Sequence, residues 1–89
     1  MKITFDPAKR NLTLAARGPD MAEAAEIFAT EVMTVEDDRL DYGETRYVTV
    51  GYLGGRMVVL IWTFRDAMRR MISLRKANAR EQAHYDPPP

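Results

Sequence analysis

The chain has no cysteine. That absence excludes disulfide staples and thiolate metal sites, and it fits an intracellular protein. Histidine occurs once, as His84. Imidazoles suit proton transfer near neutral pH, but this one lies near the chain end, where order is usually poor, and an exposed helix position is expected for it. Long apolar runs are missing too. The longest, Met57-Val58-Val59-Leu60-Ile61-Trp62, is far too short to cross a bilayer. Met1-Lys2-Ile3-Thr4-Phe5-Asp6 meets charge before an apolar segment forms, so no signal peptide is expected there. The expectation is a soluble, cytoplasmic protein with no membrane partner.

Net charge is absent as well, with 13 Lys/Arg against 13 Asp/Glu. The zero total argues neither for nor against nucleic acid, but the distribution is uneven. Residues 1–44 hold five Lys/Arg and ten Asp/Glu, and residues 45–89 hold eight and three, so the halves carry minus five and plus five. The basic half suits a polyanion; the acidic segment 31–44 suits a basic protein or the chain's own basic face. At 89 residues there is apolar surface for one modest core. A single domain over residues 1–85 is expected, followed by a proline-rich tail at 86–89.

What is present reads as alternating helix and strand signals. Residues 2–5 form a short strand candidate, cut by Asp6-Pro7, an N-cap followed by proline at the first helical position. Ala8, Leu12 and Ala15 recur at helical spacing up to Gly18, which suits a left-handed cap. Asp20 and Glu23 form a capping-box pattern, and Met21, Ala24, Ala25 and Phe28 make one apolar face for a second helix. Strands are expected over 32–35, 45–53, 56–64 and 68–75. Gly54-Gly55 signals a hairpin turn, and Arg65-Asp66-Ala67 a weaker one. Asn78-Ala79-Arg80-Glu81 is another capping box, opening a helix towards Tyr85. The fold class is α+β: two N-terminal helices packed on an antiparallel meander, with a short C-terminal helix.

Positive charge concentrates in Arg69-Arg70-Met71-Ile72-Ser73-Leu74-Arg75-Lys76, inside a strand pattern. Guanidinium forks bind phosphate and carboxylate bidentately, so fixed arginines beside a core suit an anion clamp. Strict alternation places Met68, Arg70, Ile72 and Leu74 on a core face, and Arg69, Met71, Ser73 and Arg75 on the open one. Ion pairing with Glu36, Asp37 or Asp38 is the structural alternative for these arginines.

Phe5-Asp6 with Lys9 and Asn11, Gly18, Glu36-Asp37-Asp38-Arg39, Asp41-Tyr42-Gly43-Glu44, Arg46, Gly51, Arg56, the closing Arg70-Met71-Ile72-Ser73-Leu74-Arg75-Lys76-Ala77, Glu81 and Tyr85 together resemble the BrnT family. The resemblance covers Met1 to Tyr85 and implies a compact RelE-like fold and a ribonuclease toxin of a type II toxin–antitoxin system. It implies a BrnA-like ribbon-helix-helix antitoxin as partner, with operator DNA bound only through that antitoxin, and a dimer of toxin–antitoxin pairs. Many relatives read Lys-His-Gly where this chain has Ala16-Arg17-Gly18, and an arginine cannot replace histidine as a base at neutral pH.

The implied reaction is metal-independent RNA cleavage that inhibits translation, by attack of a ribose 2′-OH on the adjacent phosphorus. It needs a base, cationic donors for the phosphoryl oxygens and a proton for the leaving 5′-oxygen. Arg70, Arg75, Lys76, Arg46 and Glu44 are the catalytic candidates; Arg17, Arg56, Ser73 and Tyr47 are the substrate-binding ones. Glu44 lies next to arginines, a setting that makes it a weak base, and an ion pair with Arg46 or Arg56 is its structural alternative. Lys76 would serve as acid or base if neighbouring cations made its ammonium more acidic. Asp37, Asp38 and Asp41 lack the convergent spacing of a metal site, and no metal or cofactor is expected. Trp62 and Phe64 fall in phase with Val58 and Leu60 as core, while Tyr42, Tyr47 and Tyr52 are stacking candidates for an unpaired base. A relative that keeps the antitoxin interface without activity, and a plain RNA-binding domain, are the alternatives.

Overall fold

The computed structural model describes residues 2–86. Asp6 opens helix α1 (Pro7–Arg17), its carboxylate accepting from the Ala8 N–H at 2.8 Å. Gly18 closes the helix at φ +89°. A 3-10 turn, Met21–Glu23, then leads into the short helix α2 (Ala24–Ala29). The capping box expected at Asp20 is not reciprocal. Asp20 accepts from the Ala22 N–H, its two oxygens also take Arg10 at 2.7 Å each, and Glu23 bonds back through its backbone N–H to the Asp20 carbonyl at 3.0 Å, not through its carboxylate. The buried face is Met21, Ala24 and Ile27, with Phe28 half-buried and Ala25 exposed. A spacing of three replaces the expected three-and-four because the segment begins as a 3-10 turn.

The strands are β1 (Ile3–Thr4), β2 (Met33–Asp37), β3 (Arg46–Leu53), β4 (Arg56–Arg65) and β5 (Met68–Lys76), in sheet order β1-β5-β4-β3-β2. From β2 to β5 the sheet is an antiparallel meander. It departs from the antiparallel expectation at one edge, where β1 lies parallel to β5 and pairs Ile3 with Arg69 and Thr4 with Arg70. Gly54 and Gly55, at φ +57° and +76°, make the hairpin turn between β3 and β4. The next turn places Asp66 and Ala67 at φ +54° and +61°, where a side chain is sterically disfavoured.

One sheet face carries Val58, Leu60, Trp62, Met71 and Leu74, packed on Met21, Ala24 and Ile27. Helix α2 comes close because β3 has no side chain at Gly51: a Cβ there would lie 2.6 Å from the Ile27 carbonyl oxygen. The opposite face has its own cluster, Val50, Met57, Val59 and Ala77, with Met33, Val48, Tyr52 and Tyr85 against it. Helix α3 (Ala79–Tyr85) covers that cluster, opened by a complete capping box between Asn78 and Glu81. The helix is short, so this face is closed only near the Gly54-Gly55 end. Further along it, Val48 and Ile61 are half-buried and Val35 is exposed.

Strict alternation fails in β5. Ser73 pairs with Ile61 and Met71 with Trp62, so Ile72 is an extra residue, a β-bulge. Residues paired directly across strands share a face, which assigns Arg69, Met71, Leu74 and Lys76 to the helix-covered face and Arg70, Ser73 and Arg75 to the open one. The expectation of Arg70 in the core row is thereby corrected: Arg69 occupies it, and Arg70 shares a face with Arg75. Among the described residues no helix is long and apolar enough to cross a membrane. The expected tail at 86–89 lies outside them except for Asp86.

Candidate functional site

Cross-strand register builds a polar row on the open face: Asp37, Arg46, Thr63 and Arg70, one residue from each of β2, β3, β4 and β5. Arg46 and Arg70 are two strands apart, about 10 Å at the backbone. The Arg46 guanidinium lies 4.1 Å from the Tyr42 ring centroid and donates from Nε to Glu44 at 3.2 Å. Of the two partners expected for Glu44, Arg46 is thus present and Arg56 is not; the second partner is Arg65, whose Nη2 donates to it at 3.0 Å. Arg65 first and Arg46 second hold the Glu44 carboxyl below its usual range. A carboxylate held so firmly ionised is a poor proton acceptor.

Arg75 lies on the same face, roughly 15 Å along the strand from Arg70. Its two Nη groups donate to Glu81 at 2.7 and 2.9 Å, and this pair drops the Glu81 carboxyl to about 2. The partner expected for a strand arginine was Glu36, Asp37 or Asp38. The capping box instead delivers Glu81, which accepts from the Asn78 N–H at 2.9 Å while it holds Arg75. Asp37 is bound by Arg39 at 2.8 and 2.9 Å and by the Tyr42 hydroxyl at 3.2 Å, and lies at about 2 for that reason. Arg39 is close enough to oppose the charge of Arg75. Asp37, Asp38, Arg39, Arg75, Glu81 and Tyr85, with Glu36 at the β2 edge, rim a recess of about 300 Å3 whose floor is Met33, Val35, Val48, Val50, Val59 and Ile61.

The remaining candidates lie elsewhere. Lys76 projects to the helix side, with its Nζ against Gly18, and shares a recess of about 310 Å3 with Arg56, Asp20 and Glu23. Arg17, in the last turn of α1, edges a shallow recess with Ile72 and Ser73 at the β5 margin. Tyr47 stacks on Trp62 with ring centroids 4.8 Å apart, within the helix-side cluster. The structure thus brings Arg46, Glu44, Arg70, Ser73 and Arg75 to one face and leaves Lys76, Arg56, Arg17 and Tyr47 away from it. Lys76 is separated from Arg75 because neighbours along a strand point to opposite faces.

Sequence reasoning passed over Arg39 and Tyr85 as members of this face. Arg39 sits in an acidic loop and reads as already neutralised; Tyr85 ends a helix near the terminus, where fraying is expected. The one signal for Tyr85 was the Asn78–Glu81 capping box, which fixes where α3 begins and so which residues reach the recess.

This is an α+β protein with one strand face left partly open and several arginines on it, where Asp37, Glu44 and Glu81 are each paired with an arginine. The family model described as "Ribonuclease toxin, BrnT, of type II toxin-antitoxin system" matches residues 5–81, and the chain belongs to that family. Membership makes it a toxin of a type II system and implies an antitoxin partner. No curated protein matches the chain.

Proposed function

We propose that the protein is a metal-independent endoribonuclease that cleaves RNA on the open sheet face, on a RelE-like layout, and so blocks translation in the cytoplasm. The observation that carries this is the co-facial set Arg46, Arg70 and Arg75 on a face that α3 leaves mostly uncovered. Arg70 and Arg75 are too far apart to grip one phosphate, so they suit different phosphates of one strand laid along β5. The scissile phosphate is assigned to the recess at Arg75, with Arg39 beside it and Tyr85 at the rim. A bidentate pair with Glu81 and a long bond from Nη1 to the Lys76 carbonyl at 3.4 Å use three of Arg75's five N–H donors and leave two for phosphoryl oxygens.

In this scheme the 2′-oxygen forms a bond to phosphorus as the bond to the 5′-oxygen breaks. The 2′-OH proton leaves to a base and a proton is delivered to the 5′-oxygen, giving a 2′,3′-cyclic phosphate and a 5′-OH end. Glu81 and Asp37, both at about 2, are positioning residues for arginines, not bases. Tyr85 is the one neutral proton-bearing side chain on the recess wall and is assigned to donate a proton to the leaving 5′-oxygen, the 2′-OH proton passing to solvent water. Arg17 lies on the α1 side, so its departure from the family's histidine empties no position in the recess.

The partner is proposed to be a BrnA-like ribbon-helix-helix antitoxin, which would bind operator DNA itself, in a dimer of toxin–antitoxin pairs. The experiment is cleavage of a defined RNA in excess EDTA. Arg75→Ala should lose roughly a hundredfold to a thousandfold in rate. Full activity in the Arg70→Ala, Arg75→Ala double variant would overturn the site. An absence of cleavage by the antitoxin-free wild-type chain would favour the interaction-module alternative.

A further inference from the structure

The helix-covered face is not covered along its whole length. At the end far from Gly54-Gly55, four aromatic rings gather: Trp62 stacks on Tyr47, takes Phe28 edge-on at 5.3 Å and meets Phe64 edge-on at 5.0 Å. Phe64 is 46% exposed, although it stands in phase with the buried Trp62. Beside it, directly across from β4 on the same face, is Arg69. Its guanidinium lies 4.0 Å from the Phe28 centroid and 5.1 Å from that of Trp62. Arg10, Arg39, Arg46, Arg65 and Arg75 all pair with carboxylates, whereas Arg69 pairs with none among the described residues. Its Nε is buried without an acceptor, and its Nη groups, which are not buried, make no hydrogen bond among those residues.

We propose that Phe64 and Arg69 form a second nucleic-acid contact, on the sheet face opposite Arg75, which takes one unpaired nucleobase of a single strand and its adjoining phosphate. The base lies on the exposed Phe64 ring, as every base offers a π face to an aromatic platform on a sheet. The phosphate accepts from the Arg69 Nη groups, whose plane Phe28 and Trp62 already fix. The platform ends at Glu36, which by register lies beside Tyr47 on the same face and would repel a phosphate there. The site rests on RNA being the ligand, as the proposed function has it, but not on cleavage chemistry.

Trp62 is the sole tryptophan, so its emission reports on this cluster alone. The test titrates the full chain with a short 2′-O-methyl oligouridine, which has no free 2′-OH and cannot be cleaved, and reads both oligonucleotide anisotropy and Trp62 emission. Binding should change the emission. Phe64→Leu, at an exposed position that tolerates the change, should weaken binding about tenfold. Arg69→Lys, which keeps the charge and loses the planar fork, should weaken it comparably, while Arg75→Ala still shows the Trp62 response. Anisotropy that rises with Trp62 silent and Phe64→Leu unaffected would overturn this site and leave the Arg75 face standing. A Phe64-dependent Trp62 response in a protein that never cleaves RNA would support this site and overturn the proposed activity. If the oligonucleotide leaves Trp62 unmoved but a co-purified antitoxin shifts its emission, the patch is a protein interface and the inference fails.

Discussion

Replacing Glu81 by Gln tests the Arg75–Glu81 pair with little change of shape. Glutamine at the third helical position still offers an oxygen to the Asn78 N–H, so the capping box survives while the ion pair is lost. Glu81 falls from its ordinary value of 4.5 to about 2, with the Arg75 hydrogen bonds as the largest cause. Expressed in full, that displacement amounts to about 3 kcal/mol. The Arg75 side chain is 41% exposed, and solvent screening of such a pair reduces the expected contribution to about 1 kcal/mol. A folded-state value below the unfolded one means stability that is present in full above the unfolded value and lost as pH falls through the folded one. Wild type should therefore exceed Glu81→Gln at neutral pH by about 1 M in urea midpoint. The gap should narrow from about pH 4.5 and close near 2. Molar salt at neutral pH should narrow it as well. Equal midpoints at neutral pH, or a gap unchanged down to the acid limit, would refute the assignment of Glu81 as the arginine's counter-charge.

Three further substitutions probe the frame that carries the site. Gly51→Ala drives a methyl to 2.6 Å from the Ile27 carbonyl oxygen and should cost about 1–3 kcal/mol, seen as a lower melting temperature; an unchanged melt would mean α2 is free to shift. Ala67→Gly relieves a side chain at φ +61° and should raise stability by about 0.5–1 kcal/mol, the relief being offset in part by glycine's unfolded-state entropy, with no effect on RNA binding. Thr49→Val removes the acceptor 2.8 Å from the buried Trp62 Nε1 and should cost about 1–3 kcal/mol in urea unfolding, with an altered Trp62 emission in the folded state.

Most of the features that the sequence announces locally read correctly here, the Asp20–Glu23 box excepted. Asp6-Pro7, Gly54-Gly55 and the Asn78–Glu81 box each rest on contacts within a few residues, and each stands where it was expected. The phase of β4 was legible because Val58, Leu60 and Trp62 repeat without interruption. Two kinds of information were not. The parallel pairing of β1 with β5 joins segments more than sixty residues apart and leaves no local mark. The bulge at Ile72 carries no glycine or proline to reveal it, so alternation ran past it and put Arg70 and Arg69 on the wrong faces. The site inherited that error: arginines as a residue type were visible, but their grouping depended on one unpaired residue. Lys76 and Arg56 fell to the helix side for the simpler reason that charge says nothing about strand parity.

That single unpaired residue makes strand register, not residue identity, the determinant of which arginine meets solvent. Drawing Ile72 into the ladder opposite Trp62 would keep Ser73, Leu74, Arg75 and Lys76 in place and shift every residue before it by one. Arg70 would then stand opposite Phe64, turned toward the aromatic cluster, and Arg69 would turn toward the open face, with every side chain still present in the sequence. Two homologous chains of equal length, one with the bulge and one without, would present their arginines to opposite sides of the sheet, and an ungapped comparison of the two would hide it.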